Sequence, residues 1–195
     1  MHFCYNMNRD ILIQKFLEKN RELNLSAIRD EEWVRIKHIQ DSLELEKVIK
    51  RKEWMEVADI WTWGWFPLMP LAIMHPECHF VWVDSIKKKT VAVWEILNEI
   101  GVHNVDMIRS RAEDIKDKTF DLVTARAVAY SDKLLTRLIP LVKKWWKIAL
   151  MKQVNEDERN ILMKIIKKNR ITLEKEYQYQ LFEWDINRVI YCLSK

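Results

Sequence analysis

The chain has 195 residues, of which 49% are apolar and 32% are charged. These proportions exclude an intrinsically disordered chain and suffice for one globular domain with a buried core and a small appendage. The formal net charge of +4 comes from 33 basic and 29 acidic residues. This mild excess permits a nucleic-acid partner but does not require one.

The cysteines and the apolar segments indicate a reducing compartment. Cys4, Cys78 and Cys192 are far apart and have neither metal-ligand nor redox spacing, so each thiol is expected to be a small buried side chain. Residues 1–16 contain no apolar core of signal-peptide length, and no segment approaches the roughly 20 apolar residues of a membrane span. We therefore predict a soluble protein of the cytoplasm, without a membrane partner or a metal site.

Two amphipathic helices are predicted near the N-terminus, over residues 8–23 and 30–52, because apolar residues recur there at near-helical spacing. They define a helical section over residues 1–53. In the rest of the chain, residues 54–195, the predicted strands cover residues 56–60, 79–84, 104–109, 120–125, 147–152, 171–182 and 187–194. The predicted helices between them cover residues 66–75, 85–100, 131–142 and 156–168. This alternation predicts an α/β fold with a doubly wound parallel sheet, closed by an antiparallel hairpin.

Glycine is scarce in this sequence and tryptophan is abundant. Only Gly64 and Gly101 are present, whereas tryptophan occurs ten times. At the ordinary frequency of about 7%, a chain of this length would contain about 14 glycines. Tryptophan is a poor substitute for glycine at a turn, because its Cβ penalises positive φ and its indole needs burial.

Several tryptophans fall where a cap or a turn would favour glycine. They are Trp54 at a predicted helix C-cap, Trp145 and Trp146 between a helix and a strand, and Trp184 at the tip of the hairpin. Core packing is an acceptable explanation for only three of the ten tryptophans, which are Trp33, Trp82 and Trp94.

The loop after the first predicted strand carries the motif DIWTWGWFP, from Asp59 to Pro67. Ligands of doubly wound sheets bind at the carboxyl ends of the strands, so this loop is the first candidate site. The motif resembles the D-x-G-T-G-x-G-F-P loop of the RsmG (GidB) family of ribosomal RNA methyltransferases. Five further segments resemble that family in the same order, namely KHIQDSL (37–43), VDSIKKKT (83–90), SRAEDI (110–115), TARAVA (124–129) and KIALMK (147–152).

The resemblance implies a Rossmann-like class I methyltransferase sheet. Its cofactor would be S-adenosylmethionine, and the methyl group would pass to N7 of a guanine in small-subunit (16S) ribosomal RNA. The cofactor contacts that it implies are Asp59, Trp61, Trp63, Gly64, Trp65, Phe66, Asp84, Ala112, Glu113 and Arg126. Asp59 is suited to orienting the cationic amino-acid end of the cofactor, and Asp84 to accepting hydrogen bonds from the ribose hydroxyls. Ala112 and Glu113 resemble the adenine-side contacts.

The substrate side is less well defined. Arg126 and Lys152 are the candidates for placing the nucleotide, and no residue is a convincing general base. N7 carries a free lone pair, so proximity and alignment would supply most of the rate without a metal. The run Lys87, Lys88, Lys89 is either a solvated helix face or a phosphate contact. The expected partner is ribosomal RNA or an assembling small subunit, bound by a monomer.

Structural explanations exist for several of these candidates. Asp59 and Asp84 could be solvated strand ends, and Glu113 and Arg126 could form surface ion pairs. His38, Asp41 and Ser42 could suggest a hydrolytic triad, but they lie within one helical turn and lack a nucleophile turn. A structural link between the helical section and the sheet is the better interpretation of these three residues.

Two other functions remain open. A nicotinamide-dependent oxidoreductase could share the sheet and the ribose carboxylate, although its phosphate loop would favour Gly-x-Gly-x-x-Gly. A degenerate, inactive RNA-binding or assembly protein is the alternative if the tryptophans are real. Labelled cofactor binding would distinguish the oxidoreductase from the methyltransferase. RNA binding without cofactor binding would indicate the degenerate protein.

The departures from the family pattern all replace glycine by tryptophan, at Trp61, Trp63, Trp65, Trp82, Trp145 and Trp146. Independent mutations would not favour one replacement, and a functional tryptophan cage would not also occupy turns and caps. We therefore hypothesise that the gene comes from an organism that reads the codon UGA as glycine, and that UGA was translated here as tryptophan.

The codons test this hypothesis directly. We expect UGA at the three loop positions and at Trp145 and Trp146, and by extension at all ten tryptophans, with ordinary glycine codons at Gly64 and Gly101. The chain with tryptophan should also bind a cofactor poorly. Sequencing the gene is the measurement, and UGG at the three loop positions would refute the hypothesis.

Overall fold

The computed structural model describes residues 2–50, 52–60, 65–126, 131–181 and 186–194. The chain begins with helix α1 (His2–Leu23). A continuous helical segment follows, made of α2 (Glu31–Val34), a π turn (Arg35–Gln40), α3 (Asp41–Leu43) and a 3-10 turn (Glu44–Lys47). The side chain of Asp30 caps α2 by accepting from Trp33 N at 3.1 Å. Both predicted N-terminal helices are therefore confirmed, although the second ends at Lys47 rather than at residue 52.

Strands and helices alternate through the rest of the chain, as predicted. The strands are β1 (Glu56–Ile60), β2 (His79–Val83), β3 (Val105–Ile108), β4 (Phe120–Arg126), β5 (Val142–Gln153), β6 (Thr172–Leu181) and β7 (Ile186–Ser194). The helices are α4 (Leu68–Met74), α5 (Lys87–Glu99), α6 (Ser131–Leu138) and α7 (Glu156–Asn169).

The strands form one seven-stranded sheet in the order β3-β2-β1-β4-β5-β7-β6. Strands β1 to β5 are parallel, and β7 runs antiparallel between β5 and β6. The predicted doubly wound sheet with a closing hairpin is thus confirmed. From β1 the chain builds outward to β3 and then returns to β4 on the other side of β1. The crevice between the carboxyl ends of β1 and β4 is therefore the expected ligand site of this topology.

Each face of the sheet buries its own hydrophobic cluster. One cluster joins α1 to the helices α4 and α5, with Phe16, Met69 and Val93 among its buried members. The other lies under α6 and α7 and includes Leu135 and Leu162. The helical section consequently packs against the same core as the sheet, since the side chains of α1 belong to the first cluster.

The cysteines and the helices of the described residues fit the sequence analysis. Among the described residues, Cys78 and Cys192 are buried thiols that form no disulfide, and burial raises the pKa of Cys192 to about 11. The side chain of Cys4 lies outside the described residues. Within the described ranges, every helix is too short or too polar to cross a lipid bilayer.

The turn predicted at Trp145 and Trp146 is wrong as stated, because both residues lie inside β5. The pairing of β5 with β4 is nevertheless broken there: Phe120 pairs with Val142, whereas Leu122 pairs with Lys147. The tryptophan pair therefore occupies an irregular stretch of the strand, where the backbone departs from the ladder. Trp184, predicted at the hairpin tip, lies outside the described residues.

Two tryptophans adopt the backbone conformation that favours glycine. Trp54 has φ of 65° and Trp65 has φ of 72°, close to the 67° of Gly101 at the end of α5. Trp54 lies in a turn before β1 rather than at a helix C-cap, and its side chain is 83% exposed. The backbone of Trp54 is therefore strained in the left-handed region, and burial of the indole does not offset this strain.

The other described tryptophans divide between core and surface. Trp82 is buried in β2, as predicted, and Trp33 is half-buried with Lys37 Nζ 3.9 Å from the centre of its ring. The prediction that Trp94 packs in the core is wrong, because this side chain lies on the outer face of α5 and is 58% exposed.

Replacing Trp54 by glycine should stabilise the protein. The substitution relieves about 1–2 kcal/mol of left-handed strain and costs about 0.5–1 kcal/mol of backbone entropy, so a net gain of about 0.5–1 kcal/mol is expected. The control is Trp94→Gly, another exposed tryptophan but in a helix interior, which should lose about 0.5 kcal/mol. Urea unfolding measures both changes, and equal effects of the two substitutions would contradict the strain argument.

Candidate functional site

Asp59 lies at the switch point of the sheet, on β1 beside Thr124 of β4. It is fully buried, and its Oδ1 accepts from Thr124 Oγ1 at 2.8 Å, whereas Oδ2 has no partner among the described residues. Burial raises the pKa of Asp59 to about 8, against the opposing effects of Thr124 and of the positive charge of Arg126. Asp59 is therefore not a solvated strand end, and a cation beside it would favour its ionised form.

Asp84 and the residues after β3 lie at the carboxyl ends of β2 and β3, the two strands on one side of β1. Asp84 directly follows β2, is 6% exposed, and accepts from Ile86 N at 2.8 Å through Oδ1. Ala112 and Glu113 lie in a short 3-10 turn after β3, where Ala112 is buried. Because β1, β2 and β3 are parallel neighbours, the side chains of Asp59, Asp84 and Glu113 belong to one edge of the sheet.

The motif loop is described only from Trp65 onward, and Trp61, Trp63 and Gly64 lie outside the described residues. Trp65 and Phe66 are both buried, and each ring packs edge-on against Phe16 of α1, at 5.2 and 5.3 Å. The indole N–H of Trp65 has no partner among the described residues. The loop thus enters α4 with Trp65 and Phe66 packed in the core.

His38 connects this loop to the end of β4. Its ring stacks on Phe66 with centroids 4.6 Å apart and an interplanar angle of 9°. Its Nδ1 lies 2.8 Å from Nη2 of Arg126, the last residue of β4, and that nitrogen also donates to Lys37 O at 3.0 Å. Burial and the charge of Arg126 lower the pKa of His38 well below its usual value. His38 is therefore a neutral imidazole whose Nδ1 accepts from the guanidinium.

A buried cluster of charges surrounds Asp41, which is 1% exposed. Arg188 of β7 donates to its carboxylate through Nε at 3.2 Å and Nη2 at 3.0 Å, and Arg126 Nε lies 3.3 Å from Oδ2. Tyr179 of β6 donates its hydroxyl proton to Oδ1. Burial raises the pKa of Tyr179, so the phenol stays neutral. One carboxylate thus faces two guanidinium groups, which leaves the cluster with a net positive charge.

The predicted link between the helical section and the sheet is consequently confirmed for His38 and Asp41. Ser42 serves the helix itself, since its Oγ donates to His38 O at 2.5 Å. Arg126 is not in a surface ion pair, because its side chain is 11% exposed and contacts Asp41. Glu113 does face a charged partner, Arg137, at 3.8 Å.

The remaining candidates for substrate contact occupy different environments. Lys152, near the end of β5, is 7% exposed, and its Nζ lies 2.6 Å from Glu158 Oε1 on α7. Lys87 and Lys88 are exposed in the first turn of α5, directly beyond Asp84. The side chain of Lys89 lies outside the described residues. Lys152 is therefore held in a buried ion pair with Glu158, whereas the positive charge of Arg126 acts on Asp59.

A cavity of about 610 Å³ opens beside Arg126. Its wall combines the end of β4 and the His38–Phe66 stack with residues 24–27, which connect α1 to α2. The sequence did not indicate a role for this connection, nor for Arg188 and Tyr179, which hold Asp41. Tyr179 lies in the alternating end of β6, and Arg188 directly precedes the continuous apolar run of β7, but neither pattern indicates a partner for these two side chains. Within the described residues, no group of acidic, cysteine and histidine side chains could hold a metal.

Comparisons with known proteins identify a family. The family model described as "GidB: rRNA small subunit methyltransferase G" matches residues 7–182. "Ribosomal RNA small subunit methyltransferase G" of Thermoanaerobacter sp. (strain X514) is 36% identical over 185 residues, which cover 92% of this chain and 77% of the relative. The protein of the same name from Fusobacterium nucleatum subsp. nucleatum is 33% identical over 172 residues, covering 87% and 74%.

Solved structures support the fold. The structure of a SAM dependent methyltransferase from Aquifex aeolicus gives a TM-score of 0.62 at 16% identity, covering 83% of this chain and 93% of that one. A ribosomal protein L11 methylase from Lactobacillus delbrueckii subsp. bulgaricus also gives 0.62, at 12% identity, covering 85% and 79%. At these identities the likeness concerns the class I methyltransferase fold alone.

Neutralising Asp41 should destabilise the protein strongly. Asp41→Asn leaves two buried guanidinium groups without a counter-ion, and breaking a buried pair in this way costs about 3–5 kcal/mol. The matched control is Asp106→Asn, because Asp106 is 65% exposed and pairs with His79 at 3.0 Å; it should change stability by less than about 0.5 kcal/mol. Chemical denaturation compares the two variants, and similar small losses would show that the cluster does not anchor the helical section.

Proposed function

Because this chain belongs to the rRNA small subunit methyltransferase G (GidB) family, we propose that it methylates N7 of a guanine in small-subunit ribosomal RNA, with S-adenosylmethionine as the methyl donor. The observation that carries the proposal is the family match over residues 7–182 together with the position of Asp59 at the switch point of the sheet. The match includes both the helical section and the sheet. The reaction is therefore assigned to the whole chain rather than to the sheet alone.

The residues at the carboxyl edge fit the cofactor chemically. Asp59 has a buried carboxyl oxygen without a partner among the described residues, and this oxygen suits the ammonium group of a bound amino acid. Asp84 closes β2 and would accept from the ribose hydroxyls, as acidic residues do at this position of doubly wound sheets. Ala112 and Glu113 would flank the adenine, and Arg126 would face the reacting end. The loop residues 61–66 would cover the cofactor.

The methyl transfer requires little general acid or base catalysis from the protein. S-adenosylmethionine supplies a methyl group that its positive sulfur already activates. Guanine N7 offers a lone pair at neutral pH, so the protein must mainly align the two molecules and exclude alternatives. A neutral His38, held by Arg126, and a buried Asp59 give a fixed wall for that alignment. Arg126 and Lys152 remain our candidates for placing the nucleotide.

The RNA would approach along the same edge. Lys87 and Lys88 are exposed in the first turn of α5, next to Asp84, where they can contact phosphates. Lys89 extends the same run in sequence. We propose that the protein acts as a monomer in the cytoplasm, on ribosomal RNA or on an assembling small subunit. The helical section, residues 1–53, would form the substrate side, and residues 54–195 would carry the cofactor.

The alternative of an inactive RNA-binding or assembly protein depends on the tryptophans being native, and no comparison supports it. Trp65 holds a positive φ and a buried indole at the entrance to the candidate loop. If the tryptophans are native, the loop backbone would lack the freedom that a cofactor contact needs. The two functions then differ in cofactor binding, which separates them experimentally.

The decisive experiment uses a chain with glycine at all ten tryptophan positions. It should bind S-adenosylmethionine by calorimetry and transfer a labelled methyl group to ribosomal RNA from a strain that lacks this modification. Asp84→Ala in the same chain should weaken cofactor binding by about 10- to 150-fold, since a hydrogen bond to a charged group contributes about 1.5–3 kcal/mol. Circular dichroism serves as the control for folding.

The outcomes separate the candidate functions. Labelled methyl on protein or small molecules, but never on RNA, would refute the substrate assignment. RNA binding without cofactor binding, in a folded protein, would support the inactive alternative. Binding of a nicotinamide cofactor in place of S-adenosylmethionine would indicate the oxidoreductase.

A further inference from the structure

The connection between α1 and α2 is held rigidly over His38. Asn20 of α1 is 1% exposed, and its side chain bonds the connection twice: Nδ2 donates to Ile28 O at 2.7 Å, and Oδ1 accepts from Ser26 N at 2.7 Å. Ser26 Oγ accepts in turn from Ile28 N at 3.1 Å. These bonds fix the Ser26 hydroxyl oxygen at 3.2 Å from His38 Nε2.

The direction of the hydrogen bond between His38 and Ser26 follows from Arg126. A guanidinium group can only donate, so His38 Nδ1, 2.8 Å from Arg126 Nη2, must accept. A neutral imidazole with an accepting Nδ1 carries its proton on Nε2. His38 Nε2 therefore donates to Ser26 Oγ.

Ser26 consequently has a hydroxyl proton to give. Its oxygen accepts from both His38 Nε2 and Ile28 N, which occupies its two lone pairs. Among the described residues, no group accepts the hydroxyl proton of Ser26. A second donor lies in the same wall, because Arg126 Nη1 is buried and has no partner among the described residues. Both residues line the cavity of about 610 Å³.

The cavity adjoins the predicted cofactor contacts, since Phe66 and Arg126 belong to both, but the rest of its described lining comes from the helical section. Its described lining contains no residue of β2, of β3 or of the loops that follow them, where Asp84, Ala112 and Glu113 lie. It offers two hydrogen-bond donors, a nearby net positive charge and the stacked rings of His38 and Phe66. Oxygen acceptors on a flat aromatic ligand match these features, and a purine nucleotide has both.

We propose that this cavity receives the nucleotide that is methylated, with the Ser26 hydroxyl and Arg126 Nη1 donating to its oxygen atoms. The proposal rests on the proposed function and adds to it a substrate subsite built by the helical section. Ser26 would act as a specificity-determining contact. A base without an acceptor at this point would leave the hydroxyl proton of Ser26 without a hydrogen-bond partner.

The test uses Ser26→Ala in the full chain with glycine at the ten tryptophan positions. Removing a neutral hydrogen-bond donor should raise KM for the unmethylated small-subunit RNA by about 3- to 10-fold. The dissociation constant of S-adenosylmethionine, measured by calorimetry, should stay unchanged. Ser26→Thr keeps the hydroxyl and should retain most of the parent activity. Thr119→Ala is the matched control, because it removes an exposed hydroxyl at the opposite end of β4.

A second variant tests the cavity without removing a hydrogen bond. Ala27 is exposed on its rim, so Ala27→Phe should obstruct the cavity and raise the same KM while circular dichroism stays unchanged. Weaker cofactor binding in either variant would overturn the proposal and assign the cavity to the cofactor. Unchanged KM in both variants would also overturn it. Failure of the parent chain to methylate RNA would instead reject the proposed function, so the two failures are distinguishable.

Discussion

The buried carboxylate of Asp41 is the interaction on which the arrangement of the site depends. It lies in the helical segment of residues 31–47, and it holds Arg126 from β4 and Arg188 from β7. Two guanidinium groups could not stay desolvated beside each other without this counter-ion. Because Arg126 in turn fixes the tautomer of His38, one carboxylate determines both the position of the helical section and the direction of the hydrogen bonds beside the cavity.

That dependence explains why the helical section belongs to the site and is not a separate appendage. Helix α1 shares a hydrophobic cluster with α4 and α5, and the ion pairs of Lys15 with Glu99 and Lys19 with Glu95 connect its surface to α5. Those pairs are exposed and contribute little. The buried aromatic packing and the Asp41 cluster therefore supply most of the attachment.

The sheet could be predicted almost completely from the sequence, because short apolar strands alternate with amphipathic helices and the period changes clearly between them. The positions of Asp59 and Asp84 followed from the same pattern, since each stands at a strand end. The partners of Asp41 could not be predicted, because Tyr179 and Arg188 lie 138 and 147 residues further along the chain. Hydrogen bonds between distant segments depend on tertiary packing, and a hydrophobic pattern contains no information about them.

The two tryptophans with positive φ show how burial and strain compete. At Trp54 the exposed indole offers almost nothing against the strain of the left-handed region, which is about 1–2 kcal/mol. At Trp65 the indole is 1% exposed, and the loss of so large a buried side chain costs about 3–5 kcal/mol when the surroundings do not collapse. Burial therefore outweighs strain at Trp65, and the chain with tryptophan can retain the fold with its indole beside Phe16. A glycine at position 65 would instead free the volume of the indole next to the end of β1. The residue at this position therefore affects the space available to a ligand more than it affects the sheet.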